Sequence, residues 1–167
     1  LTEVNTLNGL GGNDTADYSV LPKAIGDEGV NANLLLGKAS KGLSTDDTLI
    51  SIENLIGTDG KDTLIGNNSN NTLDGGKGND YFIAHGGNNS IIGGEGTDTL
   101  DYSQSGKSLV IENLNIAGTV KRGTGSAQEI DELNSIEKII GTSSKDIIKA
   151  NATSTVNFEF QAGSGND

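Results

Sequence analysis

Residues 57–101 repeat at intervals of nine, while the carboxylates within them recur at intervals of eighteen. An apolar residue stands at the eighth position of five consecutive nonapeptides: Leu64, Leu73, Phe82, Ile91 and Leu100. The sixth position alternates between aspartate and asparagine: Asp62, Asn71, Asp80, Asn89 and Asp98. An α-helix does not keep one face at a nine-residue interval, because nine residues make two and a half turns. The pattern therefore predicts a coil of two short strands and two tight turns, completed every eighteen residues.

Asp62, Asp80 and Asp98 are expected to form a column along one edge of these coils. Successive coils lie one strand spacing apart, about 4.8 Å, so the carboxylates repel one another. Calcium bonds carboxylate oxygens at roughly 2.3–2.6 Å, and two such bonds span about one coil spacing. We therefore predict calcium sites between Asp62 and Asp80 and between Asp80 and Asp98.

The turns before these aspartates are rich in glycine, which adopts positive φ and lets carbonyl oxygens turn toward an ion. The turn glycines are Gly57, Gly60, Gly75, Gly76, Gly78, Gly93, Gly94 and Gly96. The nonapeptides GGKGNDYFI and GGEGTDTLD match the pattern G-G-x-G-x-D-x-U-x in full, where U is a large apolar residue. Partial copies are GLGGNDTAD at 9–17, GTDGKDTLI at 57–65, GTSSKDIIK at 141–149 and a truncated AGSGND at 162–167.

On these motifs the chain resembles the RTX, or hemolysin-type calcium-binding, repeats of secreted bacterial proteins. The resemblance implies an all-β fold, a right-handed parallel β-roll or β-helix solenoid with two irregular excursions, and Ca2+ as the bound ion. It also implies that the third turn position, held by Asp59, Lys77 and Glu95, offers a backbone carbonyl to the ion. Proteins of this family leave the cell by type I secretion, so we expect a secreted, extracellular or cell-surface location.

Composition agrees with a solenoid whose fold depends on metal. Hydrophobic residues make up 32% of the 167 residues and the net charge is −12, values that alone favour disorder. The 25 glycines, set in a periodic pattern, favour a solenoid that folds once its charge is neutralised. The acidic balance disfavours nucleic acid and anionic membrane as partners, and the sequence has no apolar run of membrane-spanning length. Cysteine is absent, which excludes disulfides and thiolate metal sites.

A longer repeat of 84 residues overlies the nonapeptides. The segment DTADYS at 14–19 recurs as DTLDYS at 98–103, and SIENLIGT at 51–58 recurs as SIEKIIGT at 135–142. We interpret residues 1–167 as a single RTX-like solenoid and as a fragment of a longer protein. Its related units are 1–56 and 57–140, followed by a partial third unit at 141–167.

Each related unit contains an excursion, at 18–56 and at 102–140, which we predict to be an irregular coil that continues the solenoid. Within the excursions, apolar residues at 48–56 and 133–140 predict strands that end at the following turn glycine. A loop is predicted at 118–128, and it carries the basic pair Lys121 and Arg122.

Three further aspartates are candidate ligands that need a partner from outside the regular repeat. Asp14 has no aspartate eighteen residues later, so it requires a residue of the excursion such as Asp46 or Asp47. Asp146 requires Asp167, which follows it by 21 residues, so a bulge of three residues is needed to bring both to one edge. Asp14, Asp146 and Asp167 therefore join the predicted calcium ligands.

The opposite edge carries asparagine where the first edge carries aspartate. Asn71 and Asn89 favour a ladder of side chains that cap the turns, since asparagine tolerates left-handed conformations and bonds to nearby backbone. A weaker calcium site at this edge is the alternative.

The sequence predicts a calcium-dependent structural module and no catalysis within these residues. It contains no Ser-His-Asp context, HExxH, P-loop or cysteine nucleophile. The alternative function is binding of an acidic polysaccharide or another cell-surface partner, and the parent protein is compatible with an adhesin or a secreted enzyme. The candidate glycan-binding cations are Lys107, Lys121, Arg122 and Lys138.

Overall fold

The computed structural model describes residues 4–21, 27–41, 46–112, 117–149 and 158–167, and these residues are all-β apart from a 3-10 helix at Gly125–Ala127. The strands are β1 (Thr6–Asn8), β2 (Thr15–Asp17), β3 (Glu28–Asn33), β4 (Lys38–Lys41), β5 (Asp47–Ile50), β6 (Asn54–Ile56), β7 (Lys61–Ile65), β8 (Thr72–Asp74), β9 (Tyr81–Ile83), β10 (Ser90–Ile92), β11 (Thr99–Asp101), β12 (Leu109–Glu112), β13 (Ala117–Arg122), β14 (Glu129–Asn134), β15 (Lys138–Ile140), β16 (Ile147–Lys149) and β17 (Glu159–Gln161). They form a nine-stranded sheet, ordered β1-β5-β4-β3-β7-β9-β11-β15-β17, and an eight-stranded sheet, ordered β16-β12-β13-β14-β10-β8-β6-β2. Within the described part of the chain, no helix has the length and apolar character needed to span a membrane.

Strands of successive nonapeptides alternate between the two sheets. β7, β9 and β11 are parallel neighbours in the nine-stranded sheet, and β6, β8 and β10 are parallel neighbours in the eight-stranded sheet. Leu64 pairs with Phe82 and Phe82 with Leu100, so each neighbour lies eighteen residues away. This register matches the predicted coil, which is completed every eighteen residues.

The turns between the sheets fall on two edges because the nonapeptide strands of each sheet are parallel. Edge one is defined by the turns 57–62, 75–80 and 93–98, which lead from the eight-stranded into the nine-stranded sheet. Edge two is defined by the turns 9–14, 66–71, 84–89 and 141–146, which lead the other way.

The eighth-position side chains fill the space between the sheets. They are Leu64, Leu73, Phe82, Ile91 and Leu100, each 0% exposed. In the three-residue strands β8, β9 and β10 only the central residue is buried. A winding therefore buries about two large side chains, each stabilising by roughly 1.5–3 kcal/mol. So thin a core leaves the turns at the edges to supply much of the cohesion between coils.

Both excursions form antiparallel three-stranded meanders, so the prediction of irregular coils was wrong. β3, β4 and β5 insert into the nine-stranded sheet, and β12, β13 and β14 insert into the eight-stranded sheet. In each meander the last strand is parallel to the preceding coil, β5 to β1 and β14 to β10. The first strand is parallel to the following coil, β3 to β7 and β12 to β16. Both sheets are mixed for this reason.

A tight turn divides each of the two apolar runs that were predicted to form strands. Residues 48–56 separate into β5 and β6 in opposite sheets, and residues 133–140 separate into β14 and β15 in the same way. Ser51 and Ser135 begin these turns with φ of 51° and 52°, a left-handed conformation that is uncommon for serine. The strand prediction is confirmed on both sides of these serines, and the turn between the strands was not predicted.

Residues 84 positions apart lie in opposite sheets. Leu7 is in the nine-stranded sheet and Ile91 in the eight-stranded one, and Leu49 and Leu133 are related in the same way. The chain crosses between the sheets an odd number of times from β1 to β10, which produces the exchange. A feature repeated after 84 residues therefore appears once on each edge.

Replacing Leu73 by alanine should lower the free energy of unfolding by about 2–5 kcal/mol, because the shallow core cannot close the cavity. Leu36→Ala is the matched control, since Leu36 is 71% exposed in the turn between β3 and β4. Urea denaturation of both variants in saturating calcium measures the difference. Equal losses would contradict the assignment of the eighth position to the core.

Candidate metal centre

Asp62, Asp80 and Asp98 lie in one column on edge one and form a ladder of hydrogen bonds. The Asp62 N–H donates to Asp80 Oδ1 at 2.8 Å, and the Asp80 N–H donates to Asp98 Oδ1 at 2.8 Å. The ladder continues at both ends, because the Val30 N–H donates to Asp62 Oδ1 at 2.5 Å and the Asp98 N–H donates to Glu137 Oε2 at 2.8 Å. The three aspartates are at most 1% exposed. Each rung thus uses one oxygen of a buried carboxylate.

The turn glycines lie tightly against oxygen atoms of their own and the neighbouring turns. A Cβ on Gly75 would collide with Asp80 Oδ2 and the carbonyl oxygen of Gly93. A Cβ on Gly57 would collide with Asp62 Oδ2 and the carbonyl oxygen of Gly75. Gly76, Gly78, Gly94 and Gly96 have positive φ and stack on carbonyl oxygens of Thr58, Gly60, Gly76 and Gly78, respectively. Carboxylate and carbonyl oxygens are the ligands that calcium prefers, so the oxygens around these glycines suit that ion.

The column aspartates differ in whether their second carboxylate oxygen has a partner. Asp80 Oδ2 and Asp98 Oδ2 are buried without a hydrogen-bond donor. Asp62 Oδ2 accepts the Thr58 N–H at 2.7 Å, and the Thr58 hydroxyl lies 3.0 Å from Asp62 Oδ1. Since a buried oxygen without a donor is costly, Asp80 and Asp98 have the stronger need for a cation. The second turn position differs between them: Thr58 donates both its N–H and its hydroxyl to the carboxylate, whereas Gly76 and Gly94 have no hydroxyl and adopt positive φ.

Burial and mutual repulsion weaken the acidity of the column. Burial, together with the negative charges of Asp62 and Asp98, raises the pKa of Asp80 to about 7. Burial also raises the pKa of Asp98 to about 6, with a further contribution from the charge of Glu137. The pKa of Asp62 is raised by burial, against which the Thr58 and Val30 hydrogen bonds act. A divalent cation would relieve both the desolvation and the repulsion.

The third turn position keeps its side chains outside the column. Asp59, Lys77 and Glu95 are exposed, and Lys77 Nζ lies 3.4 Å from Asp59 Oδ2. The carbonyl oxygen of Glu95 accepts the Gly78 N–H at 2.9 Å. Among the described residues, no three acidic or histidine side chains converge. A cation at edge one would therefore combine carboxylate with backbone oxygens.

Asp146 and Asp167 are adjacent rungs on edge two, across the 21-residue interval. The Asp146 N–H donates to Asp167 Oδ1 at 2.8 Å, and the Leu109 N–H donates to Asp146 Oδ1 at 2.8 Å. The Thr142 N–H donates to Asp146 Oδ2 at 2.7 Å, so this aspartate resembles Asp62 in having its own threonine. Its need for a cation is correspondingly lower.

Asp14 stacks on Glu53 and not on Asp46 or Asp47. The Asp14 N–H donates to Glu53 Oε2 at 2.9 Å, and Asp14 Oδ2 is buried without a partner. Asp47 instead accepts the Asn5 N–H at 2.9 Å and pairs with Lys41 Nζ at 2.9 Å. The sequence identified Asp14 as a candidate but missed the glutamate beside it.

Asparagines form the predicted ladder on edge two. The Asn71 N–H donates to Asn89 Oδ1 at 2.9 Å, and the Asn67 N–H donates to Asn71 Oδ1 at 2.8 Å. The Asn89 N–H continues the ladder to Asp131 Oδ1 at 2.9 Å. The capping role is confirmed, and this stretch of edge two needs no ion to balance charge.

Arg122 is buried in an ion pair that the sequence did not reveal. It is 1% exposed, and its Nε lies 2.9 Å from Asp131 Oδ2. Its guanidinium also donates to the carbonyl oxygens of His85 and Gly87, the latter at 2.7 Å. Tyr102 donates its hydroxyl proton to Asp131 Oδ2 at 2.7 Å. The prediction of a basic loop at 118–128 was wrong for residues 118–122, which belong to β13. Arg122 links Asp131, a carboxylate of the edge-two ladder, to turn carbonyls as a metal ion would.

The other cations proposed for glycan binding are also paired with carboxylates. Lys107 lies 2.7 Å from Glu129, Lys121 lies 2.6 Å from Glu112, and Lys138 lies 3.0 Å from Glu159. These pairs reduce the positive charge that an acidic polymer would meet.

Comparison with known families agrees with the geometry of the turns. The family model of the RTX calcium-binding nonapeptide repeat matches the chain in four copies, over residues 3–17, 56–89 and 78–104. The matched segments include Asp14 and the column of Asp62, Asp80 and Asp98. Repeats of this kind bind Ca2+. No curated protein matches the chain.

Without calcium, the folded fraction should decrease as the pH rises from about 4 to about 7. The usual pKa of aspartate is about 3.9, whereas burial raises the pKa of Asp98 to about 6 and that of Asp80 to about 7. The folded state binds these protons more tightly, so their contribution is complete below the unfolded pKa and is lost as the pH passes the folded values. Far-UV circular dichroism of the metal-free protein across this pH range measures the folded fraction.

The Asp80→Asn/Asp98→Asn variant is the control, because it removes both titrating groups and should flatten the profile. A folded fraction that increases with pH over the same interval would contradict the burial of these carboxylates.

Proposed function

Because this chain carries RTX calcium-binding nonapeptide repeats, we propose that it is a structural module of a secreted or cell-surface bacterial protein and folds on binding Ca2+ outside the cell. The alternating strands wind as a right-handed parallel β-roll into which the two meanders insert. The ions bind among the carboxylate and carbonyl oxygens of edge one, between Asp80 and the turn of Gly93 and at the neighbouring rungs. No catalytic step is assigned to these residues.

The observation that carries this proposal is the pair of open oxygens on Asp80 and Asp98. Both oxygens are buried without a donor, and neighbouring charges oppose their ionisation. Without a cation, the buried charges of the column destabilise the folded state. The thin core contributes little free energy to offset this destabilisation. A calcium ion supplies two positive charges and bonds to both oxygen types, so its binding free energy becomes folding free energy.

The same balance supports a switch between compartments. A net charge of −12 keeps the metal-free chain expanded by self-repulsion. Calcium is scarce in cytosol and plentiful outside, so the expanded chain is suited to export and the folded coil to the exterior. The occurrence of RTX repeats in secreted bacterial proteins supports this location.

Binding of an acidic polysaccharide is the weaker hypothesis. It relied on the cations of Lys107, Lys121, Arg122 and Lys138, and each of them pairs with a carboxylate of this chain. A glycan would have to displace these pairs.

Calcium should convert the chain from coil to β-structure. Far-UV circular dichroism in chelator should show a disordered spectrum, and titration to millimolar calcium should produce a cooperative β-signal, because ligands from several turns must assemble together. Magnesium at equal concentration is the control, since its smaller octahedral shell fits carbonyl-rich sites poorly. A β-spectrum unchanged between chelator and calcium would contradict calcium-coupled folding.

Asp80→Asn should weaken calcium binding and raise the calcium midpoint of folding, because it removes a column charge and keeps the hydrogen-bonding shape. Asp59→Asn is the matched control, since it removes the same charge from an exposed side chain of the same edge and leaves the backbone carbonyl in place. Isothermal titration calorimetry compares the two variants. Equal effects would show that total charge matters and the column does not.

A further inference from the structure

Two short turns stand where a ladder of aspartates would otherwise continue with another nonapeptide turn. They lie at residues 135–137 and 51–53, each with the sequence Ser-Ile-Glu. In the first, Glu137 Oε2 accepts the Asp98 N–H at 2.8 Å, and in the second, Glu53 Oε2 accepts the Asp14 N–H at 2.9 Å. Each glutamate therefore occupies the place in the ladder that the next aspartate would hold.

An unpartnered carboxylate oxygen lies beside each short turn. Asp98 is 0% exposed, and its Oδ2 has no hydrogen-bond donor. A Cβ on Gly93 would collide with this oxygen and with the carbonyl oxygen of Ser135, so both oxygens lie close together beside this glycine. The arrangement resembles that of Asp80 and the Gly93 carbonyl beside Gly75, although its second turn is not a nonapeptide.

The same arrangement recurs on the opposite edge. Asp14 Oδ2 is buried without a partner, and a Cβ on Gly9 would collide with the carbonyl oxygen of Ser51 and with the Asp14 side chain. Ser51 and Ser135 adopt φ of 51° and 52°, so both serines hold the same uncommon backbone conformation. The structure has thus kept one geometry at both ends of the 84-residue interval.

We propose that each Ser-Ile-Glu turn completes a calcium site, formed by Asp98, the Ser135 carbonyl and Glu137 on edge one and by Asp14, the Ser51 carbonyl and Glu53 on edge two. The proposal rests on the proposed function, because both sites extend calcium ladders beyond the nonapeptides. Two carboxylates and a carbonyl are hard oxygen ligands that suit calcium better than softer transition metals. Each site holds two negative charges close together, which a divalent cation neutralises.

An ion at these places would join the excursions to the regular coils. The turn at 135–137 connects β14 to β15, and the turn at 93–98 connects the adjacent β10 to β11. Calcium between the two turns would hold the end of the second meander against the nonapeptide block. The site at 51–53 would do the same for β5 and β6 against β1 and β2.

Glu137→Gln and Glu53→Gln test the proposal, since glutamine keeps an oxygen for the ladder hydrogen bond and removes the charge. Native mass spectrometry of the calcium-loaded protein counts the ions. Each variant should bind one calcium ion fewer than the parent, and the double variant two fewer. Glu132→Gln is the control, because Glu132 is exposed on β14 and its loss should leave the count unchanged.

The outcomes separate this inference from the proposed function. If Asp80→Asn lowers the count while both glutamine variants keep the parent count, the short turns bind no ion and the inference is overturned alone. If the parent protein binds no calcium, both proposals fail. Should a glutamine variant not fold, anomalous scattering from terbium-soaked crystals of the parent decides: a peak between Asp98 and Ser135 supports the site, and its absence overturns it.

Discussion

The hydrogen bond from the N–H of one column aspartate to the carboxylate of the next is the interaction on which the structure depends. It fixes successive coils at eighteen residues, as the Asp62–Asp80 and Asp80–Asp98 bonds show. It also draws each carboxylate out of water, since these residues are at most 1% exposed. The hydrogen bond that orders the coils therefore also buries a charge. The thin core alone does not offset the free-energy cost of that burial.

The chain balances most of its ladder positions in one of three ways. The backbone N–H and the hydroxyl of a threonine at the second turn position donate to the carboxylate at Asp62 and at Asp146. A buried or half-buried cation pairs with Asp47 and Asp131. Asparagine removes the charge at positions 71 and 89. The remaining carboxylate oxygens, on Asp14, Asp80 and Asp98, have no protein partner, which singles them out from the aspartates that share their spacing.

The regular part of the fold could be predicted because spacing alone determines it. The eighteen-residue interval indicated the register, the inward residues and the column of Asp62, Asp80 and Asp98. The meanders could not be predicted, since residues 48–56 and 133–140 are continuously rich in apolar residues and a left-handed serine leaves no compositional signal. Arg122 was missed because a basic residue among glycines is typical of a loop. Arg122 lies two residues after the buried Val120 on β13, and residues two apart point to the same face of a strand. This position was the available indication that Arg122 faces inward.

Because the chain crosses between the sheets an odd number of times within 84 residues, the same pair of acidic residues occurs once on each edge. The five nonapeptides of residues 57–101 place aspartate on edge one and asparagine on edge two, so calcium bound to them would clamp only one side of the coil. Repetition after 84 residues puts Asp98 with Glu137 on edge one and Asp14 with Glu53 on edge two. One repeated motif, an aspartate with a following Ser-Ile-Glu turn, is therefore present on both edges. Calcium bound at both edges would resist hinge-like opening of the two sheets better than a single column of ions, because opening at either edge would separate a cation from its ligands.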